Sequence, residues 1–179
     1  MNLSRRELIA ALGGTGLTAL GAWVSLTRPF ADQGLSQVEV DTLDASGSQP
    51  GSLTVPVDGE VTVIDIFSTT CAPCVDQMDS LGAVELRLGD EAVFVSVTNQ
   101  LVGEDLSVTR DDIRDWWNQN GGDWTVGFDD DGKLTRSVSA TGMPYLVIVD
   151  TDGEVAWSHA GVVGEEKLSR KIRDVLDGG

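Results

Sequence analysis

The sequence predicts an α/β domain built around a mixed β-sheet. Three observations carry this expectation. Residues 61–67 and 92–97 are nearly continuous apolar runs, the pattern of strands buried on both faces of a parallel sheet. Between them, Cys74, Met78, Leu81, Val84 and Leu88 recur at helical spacing. Near the C terminus, Asp150-Thr151-Asp152-Gly153 separates two strand-like segments, a turn sequence typical of an antiparallel hairpin.

The elements follow in order. Residues 29–36 form a short polar linker, and segments 38–43 and 53–57 face each other across a Gly- and Ser-rich turn as an N-terminal hairpin. The strand at 61–67 leads through Cys71-Ala72-Pro73-Cys74 into a helix reaching about Leu88, and 92–97 is the next strand. Thr109 with Asp112 marks a helix start. Ile113, Trp116 and Trp117 share one face of that helix as core residues, and Gly121-Gly122 ends it. Residues 124–128 form a short strand, 145–149 and 154–158 flank the hairpin turn, and 165–176 close the chain as a helix packing through Leu168, Ile172 and Val175. Asp129-Asp130-Asp131-Gly132 begins like a calcium loop but lacks the glutamate at its twelfth position, so a solvated turn is expected there.

The first residues have a separate character. Arg5 and Arg6 precede an uncharged stretch, 8–27, rich in Leu, Ala and Gly, which looks like a twin-arginine export signal. Ala19-Leu20-Gly21 is a poor cleavage site, and the stretch is long enough to span a bilayer, so residues 1–28 are read as a signal retained as an anchor. The remainder, 37–179, reads as one domain with no internal repeat. Net charge is −17, and removing residues 1–28 makes it −19. Such a surface repels nucleic acid and anionic lipid, and it suits a protein bathed in concentrated salt, where screening removes the self-repulsion. A halophilic source and a monomeric domain are expected.

The only two cysteines, Cys71 and Cys74, stand where the strand passes into the helix. Two intervening residues place both sulfurs on one turn, close enough to bridge. Pro73 is tolerated there because its missing N–H lies in the first helical turn. Cys71 falls at the exposed end, where unpaired amides favour a thiolate, and Cys74 on the buried side, which assigns nucleophile and resolving thiol. Half of a zinc site and a purely structural disulfide are the alternatives. Asp65 sits mid-strand on the face of Val63 and Phe67, where a carboxylate is costly without a task or a partner.

The chain resembles the thioredoxin-like superfamily. The resemblance rests on Val63-Ile64-Asp65-Ile66-Phe67, Cys71-Ala72-Pro73-Cys74, Gly142-Met143-Pro144 opening a strand, and Asp152-Gly153-Glu154-Val155 before a final helix, and it covers residues 37–177. The N-terminal hairpin and the helix and strand inserted between Asn99 and Ser139 are similar to the membrane-tethered TlpA and ResA branch. The implied fold is a thioredoxin fold, a central mixed sheet flanked by helices, with the hairpin and the central helix–strand insertion added.

What the resemblance implies is an exported protein-disulfide oxidoreductase at the outer face of the cytoplasmic membrane, tethered there or secreted. Cys71 attacks and Cys74 resolves, with Asp65 relaying the proton of Cys74. Pro144 matches the family's cis-proline, and Thr70, Pro73, Met143 and Pro144 are the candidate substrate contacts. Partners would be exported proteins with cysteines or disulfides and a membrane thiol donor, with no organic cofactor and no metal. Thr70 replaces the family's usual tryptophan, which alters the apolar platform beside the dithiol. Ala72-Pro73 lacks the histidine of strongly oxidising relatives, which favours a reducing couple. Two alternatives remain: a peroxiredoxin-like thiol peroxidase using Cys71, and a Cu(I)-handling chaperone using Cys71, Cys74 and His159.

Overall fold

The computed structural model describes residues 34–178. The signal or anchor assigned to 1–28 and most of the linker at 29–36 lie outside the described residues. Seven strands form one mixed sheet in the order β2-β1-β5-β4-β3-β6-β7. They are β1 (Val38–Thr42), β2 (Gly51–Val55), β3 (Thr62–Phe67), β4 (Val93–Thr98), β5 (Thr125–Phe128), β6 (Tyr145–Val149) and β7 (Val155–Ala160). The helices are α1 (Ala72–Leu88), α2 (Arg110–Gln119), α3 (Lys133–Ser137) and α4 (Glu165–Leu176).

β3 is central and buried along its whole length, which accounts for its apolar sequence. It pairs in parallel with β4, and β4 with β5, while β6 and β7 run antiparallel beyond it. The N-terminal hairpin adds to the other side, with β1 antiparallel to β5 at Asp41–Phe128 and Thr42–Gly127. Both parallel crossovers step the same way across the sheet, so α1 and α2 share a face, and α4 joins them. On that face Cys74, Met78, Leu81, Val84 and Leu88 of α1 are buried with Leu168 and Ile172 of α4. Each fully buried aliphatic side chain of this kind contributes roughly 2 kcal/mol. The other face gathers Ile64, Ile66, Val95 and Val97 under Leu134 of α3.

Local signals set the element ends. Thr109 and Asp112 form a reciprocal capping box at the start of α2. The β6–β7 turn is closed by Asp150, whose Oδ1 accepts from the amides of Asp152 at 3.0 Å and Glu154 at 2.8 Å, with Gly153 at φ +80°.

The solvated turn expected at 129–132 holds at Asp130 and Asp131, which are exposed, and needs correction at Asp129. Asp129 is buried, and its carboxylate accepts from the amides of Leu134 at 3.0 Å and Thr135 at 2.7 Å and from the Thr135 hydroxyl at 2.6 Å. It satisfies the Leu134 and Thr135 amides of α3, a helix absent from the expected element order, while the Lys133 amide donates to Asp131 Oδ1 at 3.0 Å. Among the described residues, no helix is long and apolar enough to cross a membrane.

Candidate active site

Cys71 and Cys74 are disulfide-bonded, with Cα atoms 5.3 Å apart. Cys71 occupies the N-cap of α1 with extended backbone (φ −93°, ψ 102°), so the chain turns from strand to helix at this residue, and Pro73 lies in the first turn. The Cys74 amide donates to the Cys71 carbonyl at 3.0 Å. Cys71 is partly exposed, whereas Cys74 is only 1% exposed and belongs to the core beneath α1. The sulfurs therefore differ in access, although they are one turn apart.

The loop before the dithiol is fixed from β4. Gln100 Oε1 accepts from the Thr69 amide at 2.9 Å and from the Thr98 hydroxyl at 3.1 Å. Ser68 and Thr70 pair through their hydroxyls at 3.0 Å, which leaves Thr70 exposed beside Cys71. Behind the loop stands an aromatic group that the sequence pattern marked only as core. Trp116 stacks on Phe67 with ring centroids 4.9 Å apart, and Trp117 meets Trp124 edge-on at 4.8 Å. Gly122 is required here, because a Cβ added to it would come within 2.1 Å of the Trp117 ring. Cys71 and Trp116 both pack, partly exposed, against the cluster that contains Phe67. Trp116 of α2 adds a partly exposed aromatic ring to this cluster.

Asp65 lies on the face predicted for it, among the residues of the α1 core. It is 2% exposed, and among the described residues its carboxylate has one hydrogen bond, from the Ser96 hydroxyl to Oδ2 at 3.0 Å. Oδ1 has no partner among the described residues. Burial raises its pKa to about 7, and the Ser96 hydrogen bond acts in the opposite direction. A carboxyl of this kind can take and return a proton near neutrality.

Met143-Pro144 is a cis peptide, as is Val55-Pro56, which the sequence reading did not anticipate. The Pro144 carbonyl accepts from the Gly161 amide at 2.8 Å, whereas the Met143 amide and carbonyl have no main-chain partner among the described residues. Met143 is partly exposed and packs against both core clusters, just before the start of β6. Pro73 is exposed in the first turn of α1. His159 sits apart from the dithiol group, on β7, with its ring stacked on Trp157 at 5.7 Å. Among the described residues, no three His, Cys, Asp or Glu side chains converge on a point where a metal ion could be held.

Comparison with known proteins places the chain by family and fold. The family model described as Redoxin matches residues 35–176. Over 122 residues the chain is 23% identical to the thiol:disulfide interchange protein HelX of Rhodobacter capsulatus, covering 68% of this chain and 64% of HelX. It is also 23% identical over 119 residues to the thiol:disulfide interchange protein DsbE of Xylella fastidiosa, covering 66% of this chain and 56% of DsbE. The chain thus spans less than two thirds of the length of these curated relatives. The crystal structure of StoA from Bacillus subtilis superposes with a TM-score of 0.63 at 15% identity, over 76% of this chain and 96% of StoA. The fold is thioredoxin-like, as the order of strands, dithiol and final hairpin implied.

Proposed function

The chain belongs to the Redoxin family, and from that premise we propose that it is a thiol–disulfide oxidoreductase acting on exported proteins through Cys71 and Cys74. The observation that carries this reading is the asymmetry of the pair: a partly exposed Cys71 at a helix N-cap, bonded to a buried Cys74 in the same core as a buried carboxyl. The helix N-terminus favours the Cys71 thiolate. That thiolate attacks one sulfur of a substrate disulfide and expels the other, which leaves as a thiol after taking up a proton. Cys74 then gives its proton to Asp65, attacks Cys71 and expels the second substrate thiolate. Two electrons have passed to the substrate, and the Cys71–Cys74 bond of the structure is the product. A membrane thiol donor restores the dithiol. The missing histidine in Ala72-Pro73 supports this reducing direction.

Substrate contacts are assigned to Thr70, Pro73, Met143 and Pro144. The unpartnered main chain of Met143 is suited to pair with an extended polypeptide. Residues 1–28 serve as a twin-arginine signal kept as an anchor and 29–36 as a linker, with 37–179 as a monomeric catalytic domain at the outer face of the cytoplasmic membrane. The charged run and apolar stretch at the N terminus support this placement.

The test replaces Cys74 with serine in the full chain and isolates mixed disulfides. Substrate proteins should be trapped through Cys71 and released by reductant. No trapping, together with rapid conversion of Cys71 to a sulfenate by hydrogen peroxide, would favour the peroxidase alternative. Stoichiometric Cu(I) binding lost on replacing His159 would favour the chaperone.

A further inference from the structure

The two oxygens of Asp65 are not equivalent. Ser96, its register neighbour on β4, donates to Oδ2 at 3.0 Å, and Trp124 donates its indole Nε1–H to the same Ser96 hydroxyl at 2.9 Å. Oδ1 has no partner among the described residues. The direction of this chain follows from what each group can do. An indole nitrogen only donates, and a hydroxyl carries a single hydrogen. With Trp124 donating into Ser96, the Ser96 hydrogen goes to Oδ2. A proton on Oδ2 would turn that hydrogen away and leave it buried without an acceptor, which is unfavourable.

We propose that Trp124 and Ser96 are positioning residues that hold Oδ2 as a permanent acceptor and confine the exchangeable proton of Asp65 to Oδ1, the oxygen left for proton exchange. The further step, exchange of that proton with Cys74, rests on the relay role proposed above for Asp65. In it the S–H bond of Cys74 breaks as an O–H bond forms at Oδ1, and the proton returns to solvent when the substrate thiolate has left.

Among the described residues no charged group contributes to the shift at Asp65, which comes from burial and the Ser96 hydrogen bond. Level with Asp65 are Ser96 on β4 and Leu146 on β6. The same cluster takes Cys74 and Met78 from α1, Trp117 from α2 and Ile172 from α4. Cys74 is the only titratable group in that set, and in the disulfide it does not titrate. The oxidised protein therefore isolates Asp65, whose pKa is raised by burial and lowered by Ser96 alone.

The experiment follows the carboxyl carbon of Asp65 by NMR in oxidised full-length protein as pH is varied. Ser96→Ala should move the midpoint upward by about one pH unit, Trp124→Phe upward by less, and Ser96→Thr should restore it. In the wild type the Trp124 indole proton should shift with the same midpoint, and Asp65→Asn should abolish that shift. This last readout needs no destabilising change at Ser96 or Trp124. An unmoved midpoint in folded Ser96→Ala, or an indole proton indifferent to Asp65, would overturn the proposal. A midpoint that moves as expected while thiol exchange ignores pH upholds the hydrogen-bond chain and removes the relay role instead.

Discussion

Gln77, one turn beyond Cys74 on α1, clasps the main chain of Val163 with both ends of its amide. Nε2 donates to the carbonyl at 3.2 Å, and Oε1 accepts from the amide at 2.7 Å. Val163 lies two residues after Gly161, whose amide donates to the Pro144 carbonyl, so the dithiol helix and the Met143-Pro144 turn are tied through one loop. Gln77→Ala leaves two buried main-chain groups unpaired and should cost about 2 kcal/mol or more, measured as a lower urea midpoint at unchanged slope. In exchange assays on a polypeptide substrate KM should rise more than kcat falls, because the turn holds the chain rather than the sulfurs.

Burial of Asp65 makes stability fall as pH rises. Its pKa is raised from 3.8 to about 7, so between those values the folded state holds a proton that the unfolded state has lost. The contribution is intact below about pH 4, declines through the interval and is fully lost above about pH 7. The penalty at high pH is on the order of 4 kcal/mol. Denaturation of wild type and Asp65→Asn across this range measures it. The wild type should lose stability relative to the variant with rising pH, and parallel curves would count against a buried, protonated carboxyl.

Net charge gives the third prediction. The chain carries −17, and the five ion pairs among the described residues all lie at exposed side chains, where each contributes little. Raising salt from about 0.1 M to 1 M shortens the screening length from about 10 Å to 3 Å and relieves the repulsion. Thermal unfolding should shift upward over that range. A transition unmoved by salt would contradict adaptation to a saline medium.

Hydrophobic pattern carried most of the sheet into view, because β3, β4 and β6 are buried on both faces and their sequences show it directly. The dithiol was equally plain, since its chemistry lies in consecutive residues. α3 was not, because it has only five residues and its capping carboxylate, Asp129, stands in an acidic run that looks solvated. Gln77 interrupts an apolar stripe, and nothing local shows that its amide serves a backbone distant in sequence. Ser96 likewise sits inside an apolar strand, and its task becomes visible only when β3 and Trp124 are brought beside it.

The most direct measurement is equilibration of the protein in thiol–disulfide buffers of graded potential, with the dithiol fraction read by alkylation and mass. Reversible exchange between Cys71 and Cys74 predicts one two-electron curve, with a midpoint nearer to about −270 mV than to about −120 mV, since Ala72-Pro73 carries no histidine. Failure of native protein to be reduced and reoxidised reversibly at any potential would contradict a redox role for the pair.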